Sequence, residues 1–179
     1  MSDKQDLKSL TRENLLEWIQ KNGFNKFRGE QIFNWIYKND VKDFTEMKNL
    51  PQDLINFLKE NSQLNNLSLA GKKISEDGTI KFLWELKDGE TVESVYLPYK
   101  SENRHSICIS TQVGCNMDCK FCATGLGGLK RDLTAGEIVD QAVHIQREIN
   151  DDEFKSPFLT NIVYMGMGEP LNNLDNVLD

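Results

Sequence analysis

Cys115, Cys119 and Cys122 fall within one run, Gly114-Cys115-Asn116-Met117-Asp118-Cys119-Lys120-Phe121-Cys122, and thiolates at that density suit iron, zinc or copper. Their C-x3-C-x2-C spacing differs from the paired C-x2-C knuckles of structural zinc sites and from the four-cysteine runs of ferredoxins. A cluster held by three thiolates leaves one iron without a protein ligand. An open metal position of that kind lets a substrate or cofactor coordinate directly, which favours chemistry over a structural role. The competing reading is a zinc site that recruits Cys108 as fourth ligand. Cys108 stands well upstream on an expected strand, whereas zinc knuckles favour two close pairs. Disulfides are disfavoured among these residues, because the chain begins Met1-Ser2-Asp3-Lys4-Gln5 with no apolar signal segment. A cytoplasmic location is the expectation, and in a reducing cytosol clustered cysteines mean metal or redox chemistry.

The spacing, with aromatic Phe121 just before the last cysteine, resembles the radical S-adenosylmethionine superfamily. There the open iron of a [4Fe-4S] cluster is chelated by the amino and carboxylate groups of S-adenosyl-L-methionine. Cys108-Ile109-Ser110-Thr111-Gln112-Val113-Gly114 leads into the cysteines, Lys120-Phe121-Cys122-Ala123-Thr124-Gly125 follows, and Met165-Gly166-Met167-Gly168-Glu169-Pro170 lies downstream. Together these look like the dual-specificity RNA methyltransferase family that methylates carbon 2 of adenine in 23S ribosomal RNA and in transfer RNA. The likeness runs from about Val92 onward, with a weaker helical match before it. Pro170 and the Val113-Gly114 pair are more similar to that family than to the chloramphenicol and florfenicol resistance enzymes, which act on carbon 8 of the same adenine. Outside catalysis, the alternative class is a zinc-stabilised RNA-binding module.

The resemblance implies roles for particular residues. Cys115, Cys119 and Cys122 would ligate the cluster. Gly168 and Glu169 would meet the methionyl part of the cofactor, Gly168 by close backbone approach and Glu169 by accepting a hydrogen bond from the amino group. Glu93 matches the family's proton acceptor, though alone it reads as an exposed strand glutamate. Cys108 matches the cysteine that resolves a protein–RNA adduct by forming a disulfide with a distant methyl-carrying cysteine. Read without the resemblance, it is a small buried hydrophobe. An electron donor such as flavodoxin would serve the cluster, and the protein would act as a monomer.

Composition sets wider bounds. With 179 residues, 39% hydrophobic and 27% charged, the chain is ordinary globular material with no apolar run near the roughly 20 residues of a membrane span. The net charge of −7 argues at first against an RNA partner. The first hundred residues are nearly balanced, however, and the acidic excess lies beyond them, part of it in Asp151-Asp152-Glu153, expected to be a solvated loop. RNA binding therefore rests on the resemblance and not on a basic stripe.

The elements that must position these residues follow from periodicity. Thr11 caps a helix with Leu15, Leu16 and Ile19 on one face, ended by Asn22-Gly23. A second helix from about Arg28 carries Ile32, Phe33 and Ile36, and a third from Pro51 carries Leu54, Ile55 and Leu58. Trp18, Phe24, Phe27, Phe33 and Trp35 are expected in this module's core and not as base-stacking platforms. From about Lys72 the period becomes two: Ile80, Phe82, Trp84 and Leu86 alternate with Lys81, Leu83 and Glu85, with hairpin turns at Asp77-Gly78 and Asp88-Gly89 and a further strand from Val92 to Leu97. His105 to Val113 reads as one strand with the cysteine loop at its C-terminal end, where active-site loops of parallel barrels sit. Thr134-Ala135-Gly136-Glu137 is a capping box opening a helix through Ile138, Val139, Ala142, Val143 and Ile149. Leu159 to Met165 reads as a second strand, buried at Ile162 and Val163. His105 and His144 lack any partner pattern.

The expected fold class is therefore α/β: the start of a partial (β/α) radical SAM barrel, preceded by a small helical module and an antiparallel β extension. Residues 1–70 form the helical accessory module, expected to contact RNA, 71–103 the β extension, and 104–179 the first part of the catalytic domain. Two β/α units cannot close a barrel, so the chain is expected to be the N-terminal part of a longer enzyme whose methyl-carrying cysteine lies elsewhere.

Overall fold

The computed structural model describes residues 4–150 and 158–179, so the acidic Asp151-Asp152-Glu153 run lies outside the described residues. The chain divides into two compact units that meet in sequence at Asn66 and Leu67.

The first unit is helical. A two-residue strand β1 (Gln5–Asp6) precedes α1 (Arg12–Lys21), α2 (Lys26–Tyr37), α3 (Gln52–Asn61) and β2 (Ser62–Gln63), and β2 pairs in parallel with β1. Thr11 caps α1 as expected, its Oγ1 accepting from the Asn14 N–H at 3.2 Å. Gly23 leaves the helix at φ +85°, a conformation that glycine enters at little cost. A Cβ on Gly29 would meet Leu16 at 3.0 Å, so the missing side chain is what lets α2 approach α1 closely. Leu15, Ile19, Ile32, Ile36, Leu54 and Leu58 form one buried cluster, against which Trp18, Phe24, Phe33 and Trp35 rest. Phe27 departs from expectation. It is 62% exposed, because it sits in the first turn of α2 on the side away from this cluster.

The second unit is built on a five-stranded sheet. After β3 (Leu67–Ile74), β4 (Ile80–Leu86), β5 (Thr91–Tyr99) and β6 (Arg104–Cys108) come a short hairpin of β7 (Gln112–Gly114) and β8 (Leu129–Asp132), then α4 (Ala135–Asn150), β9 (Asn161–Val163) and α5 (Leu174–Leu178). The sheet order is β3-β4-β5-β6-β9, antiparallel except for the β6–β9 pair, which is parallel. The expected α/β architecture is thus observed, with β6, α4 and β9 forming a β/α/β unit. Both glycine turns are present, with Gly78 at φ +90° and Gly89 at φ +84°. Phe82, Trp84, Val92, Tyr96 and Ile107 share a buried cluster with Ile138, Ile145 and Ile149 of α4. Truncating a buried aromatic such as Phe82 to alanine would cost about 3–5 kcal/mol. The capping box of α4 is formed: the Glu137 N–H donates to Thr134 Oγ1 at 3.2 Å, and the Thr134 N–H donates to Glu137 Oε2 at 2.9 Å.

Two strand expectations are corrected. The run His105 to Val113 is not one strand, because the Ser110 backbone leaves the sheet and is satisfied by the Gln141 side chain, Oε1 accepting from its N–H at 2.8 Å and Nε2 donating to its carbonyl at 2.9 Å. Ile162 is 49% exposed, because β9 stands at the sheet edge with β6 as its one strand neighbour among the described residues.

Candidate active site

The cysteine loop is closed at its neck by the β7–β8 hairpin, in which Gln112 faces Asp132, Val113 faces Arg131 and Gly114 faces Leu129. The Cys115 N–H donates to the Gly128 carbonyl at 3.1 Å. Within the loop, the Cys122 N–H donates to the Cys119 carbonyl at 3.0 Å, and a 3-10 turn spans Ala123–Gly127. Thr124, through its side chain first and its backbone second, lowers the Cys122 thiol below the ordinary thiol range and so favours the thiolate. Phe121 is 93% and Leu126 89% exposed, so the loop presents apolar side chains around its thiols. Asp118 and Lys120 pair with each other at 2.7 Å in solvent, consistent with solvated charges.

Arg131 anchors the return strand of this loop. It donates to both Glu137 oxygens at 2.8 and 2.9 Å and to Asp88 Oδ2 at 2.7 Å, linking β8 to the α4 cap and to the β4–β5 turn. Both partners, Glu137 first, hold the guanidinium above its ordinary value.

The glycine-rich turn lies directly on the segment leading into the loop. The Gly166 N–H donates to the Ile109 carbonyl at 3.0 Å, and the Met167 carbonyl accepts from Thr111 and Gln112 at 2.8 and 3.2 Å. Gly168 sits at φ +98°, and a Cβ there would strike the Gln112 side chain at 2.5 Å, so this position requires glycine for two reasons. The Glu169 N–H donates to Gln112 Oε1 at 2.8 Å, while its carboxylate accepts from the Leu171 N–H at 3.1 Å and caps the turn Pro170–Asn173. A carboxylate has about four acceptor sites, so this cap leaves capacity for an amino group.

Glu93 and Cys108 occupy one face of the sheet. Val95 pairs with Cys108, and Glu93, two residues before Val95, points to the same side; the opposite side carries Val92, Ser94 and Tyr96, all buried. Cys108 is half-buried between Ile107 and Ile109, which are fully buried on the far side, as strand alternation predicts. Burial raises its thiol, offset in part by a Met165 backbone hydrogen bond. Glu93 pairs with Lys81 at 2.7 Å, and its side chain is 43% exposed.

The donor set fits an iron–sulfur cluster in kind: all four cysteines are free, three share one loop, and one of these is biased to the thiolate. Among the described residues, no three His, Cys, Asp or Glu side chains converge as a ligand group for a metal ion. Thiolates on one zinc would have to converge to about 3.8 Å from each other, given a Zn–S bond of roughly 2.3 Å. A cluster spreads its thiolates over separate irons and asks for less convergence.

Periodicity did not single out the polar residues that assemble these parts. Ser110 Oγ donates to the Glu93 carbonyl at 2.6 Å and accepts from the Met167 N–H at 2.8 Å. Gln141 Oε1 also accepts from Ser94 Oγ at 2.6 Å. Asn173 Nδ2 donates to the Thr111 and Leu133 carbonyls, each at 2.8 Å. The available signal was a polar residue, Gln141, inside the apolar stripe of a helix, and the unbroken polar run Ser110-Thr111-Gln112 after an apolar strand. His105, read as lacking a partner, bonds Tyr96 Oη through Nδ1 at 2.6 Å. His144 is a boundary residue, edge-on to Trp84 and 3.6 Å from Asp140.

The chain is similar to known proteins both in structure and in sequence. A solved radical SAM methyltransferase from Sphaerobacter thermophilus superposes with a TM-score of 0.89 at 39% identity, covering 97% of this chain and 50% of that one. The fold is therefore similar to that of a radical SAM methyltransferase over nearly the whole of this chain. In sequence the likeness is to proteins named RlmN. Residues 5–64 match the family described as "Ribosomal RNA large subunit methyltransferase N-terminal domain". The "Probable dual-specificity RNA methyltransferase RlmN" of Staphylococcus saprophyticus is 44% identical over 177 residues, and that of Staphylococcus aureus strain MW2 is 45% identical over the same length. Each alignment takes in 99% of this chain and 47% of the relative, so the chain spans about half the length of the curated relatives it matches.

Proposed function

We propose that this chain is part of a radical S-adenosylmethionine methyltransferase that methylates carbon 2 of an adenine in 23S rRNA and in tRNA. The observation that supports the reading is the direct packing of the Met165-to-Glu169 turn on Ile109 to Gln112, the segment that enters the loop carrying three free cysteines. Cys115, Cys119 and Cys122 would hold a [4Fe-4S] cluster, and the Gly168 backbone and the Glu169 carboxylate would receive S-adenosyl-L-methionine. The bound pair supplies one-electron cleavage of the cofactor and hence radical chemistry, which carbon 2 of adenine requires because it is not nucleophilic. Glu93 takes the proton lost from carbon 2. Cys108, on the same sheet face, is the thiol that releases the modified base by forming a disulfide with a methyl-carrying cysteine.

Residues 1–70 serve as the RNA-contacting accessory module, 71–103 as the β extension and 104–179 as the first part of the catalytic domain. The protein acts in the cytoplasm as a monomer and takes electrons from a donor such as flavodoxin. Among the described residues, no helix is long and apolar enough to cross a membrane.

Nucleoside mass spectrometry tests this reading. A strain lacking the gene should lose 2-methyladenosine from both rRNA and tRNA, and the wild-type gene should restore it. Appearance of 8-methyladenosine instead would assign the chemistry to carbon 8, and no change in either base would reject the RNA methyltransferase reading.

A further inference from the structure

We propose that Gln112 is a positioning residue that couples the cysteine loop to the Met165-to-Glu169 turn, so that the geometry of one depends on the other. Gln112 is fully buried. Its two amide ends serve different segments: Oε1 accepts from the Glu169 N–H at 2.8 Å, and Nε2 donates to Asp132 Oδ1 at 2.7 Å. Asp132 belongs to β8, the strand that closes the neck of the cysteine loop, and Gln112 itself begins β7, the strand that enters it. The backbone N–H of Gln112 donates to the Met167 carbonyl at 3.2 Å, and Gly168 is pressed against its side chain.

The chemistry at this position is restrictive. One planar group must offer an acceptor toward a backbone N–H and a donor toward a carboxylate, and both must be satisfied because neither water nor another side chain reaches a fully buried amide at no cost. Glutamate would meet the first demand and fail the second; an apolar residue fails both. Displacement of β8 pulls on Asp132, thereby on the Gln112 amide, and thereby on the N–H that orients Glu169. That the turn serves S-adenosyl-L-methionine rests on the proposed function, whereas the coupling itself stands on the hydrogen bonds.

Amide hydrogen exchange on the chain without cofactor is the first test. Gln112→Ala and Asp132→Ala should each speed exchange at the Glu169 N–H by about tenfold or more, although Asp132 does not touch Glu169. Gln112→Glu alone sets a carboxylate against Asp132 and should also loosen the turn. The pair Gln112→Glu with Asp132→Asn reverses donor and acceptor and should restore protection, which a general loss of packing would not allow. The second test is S-adenosyl-L-methionine titration of protein reconstituted with iron and sulfide: Gln112→Ala should weaken binding about tenfold or more at unchanged iron content. Unchanged Glu169 exchange in both alanine variants overturns the proposal, as does failure of the paired swap to recover protection. Wild-type cofactor affinity in Gln112→Ala overturns its positioning role. Absence of any cofactor response in the wild-type protein would reject the proposed function, while the exchange results would still decide the coupling.

Discussion

A Cβ added to Gly114 would stand 1.9 Å from the carbonyl oxygen of Gly128, so the two ends of the cysteine loop meet where no side chain fits. Gly114 also adopts φ +76°. Gly114→Ala therefore incurs about 1–3 kcal/mol of backbone strain and must in addition open the neck. Urea denaturation should show the second unit destabilised by at least about 2 kcal/mol, with faster exchange at the Cys115 N–H. An unchanged midpoint would mean that the neck is not a fixed feature of the loop.

The Arg131 anchor predicts an acid-sensitive contribution to stability. Asp88 is held below the ordinary carboxylate range, first by the Arg131 hydrogen bond. Because its folded pKa is depressed, the stabilisation is present above the ordinary aspartate value and is lost as pH falls through the lowered folded value. The melting temperature of the wild-type chain should exceed that of Asp88→Asn at neutral pH, and the gap should close on acidification below about pH 4. A gap independent of pH would point to packing and not to charge.

Ser110 joins the backbones of Glu93 and Met167, and Gln141 holds Ser110 in turn. Ser110→Ala leaves a partly buried carbonyl and a partly buried N–H short of a partner, at up to about 3 kcal/mol. Gln141→Ala should cost a similar amount, and the double variant should cost less than the sum because both act in one network. Additive costs in equilibrium unfolding would contradict that coupling.

Burial raises the Cys108 thiol, so its neutral form is favoured in the folded chain. The associated stability is present below the unfolded thiol pKa and is lost as pH rises through the folded one. With Cys115, Cys119 and Cys122 replaced by alanine, iodoacetamide should label Cys108 slowly near pH 8 and faster as the pH rises, whereas urea-unfolded chain should label quickly at both. Equal rates in folded and unfolded chain at pH 8 would refute the burial effect.

The elements of both units were legible because local chemistry agreed with the tertiary result. Thr11 and Thr134 formed their caps, the glycine turns at Gly78 and Gly89 formed, and the alternation at Phe82 and Trp84 gave the buried sheet face. Three readings failed for tertiary reasons. Phe27 and Ile162 are apolar but meet no covering element among the described residues, and the strand through Ser110 breaks because a glutamine from α4 outcompetes the sheet for its backbone. The cysteine loop and the glycine turn were visible from residue types and spacing. Their mutual contact was not, because it runs through Ser110, Gln112 and Met167 across long sequence separations, and periodicity carries no information about such pairs.

The most direct test of the account is anaerobic reconstitution with iron and sulfide, followed by metal analysis and electron paramagnetic resonance with and without S-adenosyl-L-methionine. The wild-type protein should bind about four irons per chain, and the spectrum of the reduced cluster should shift when the cofactor is added. Alanine at Cys115, Cys119 or Cys122 should abolish the signal, while Cys108→Ala should retain it. Stoichiometric zinc in protein purified without oxygen, or loss of the cluster on replacing Cys108, would contradict the three-thiolate site.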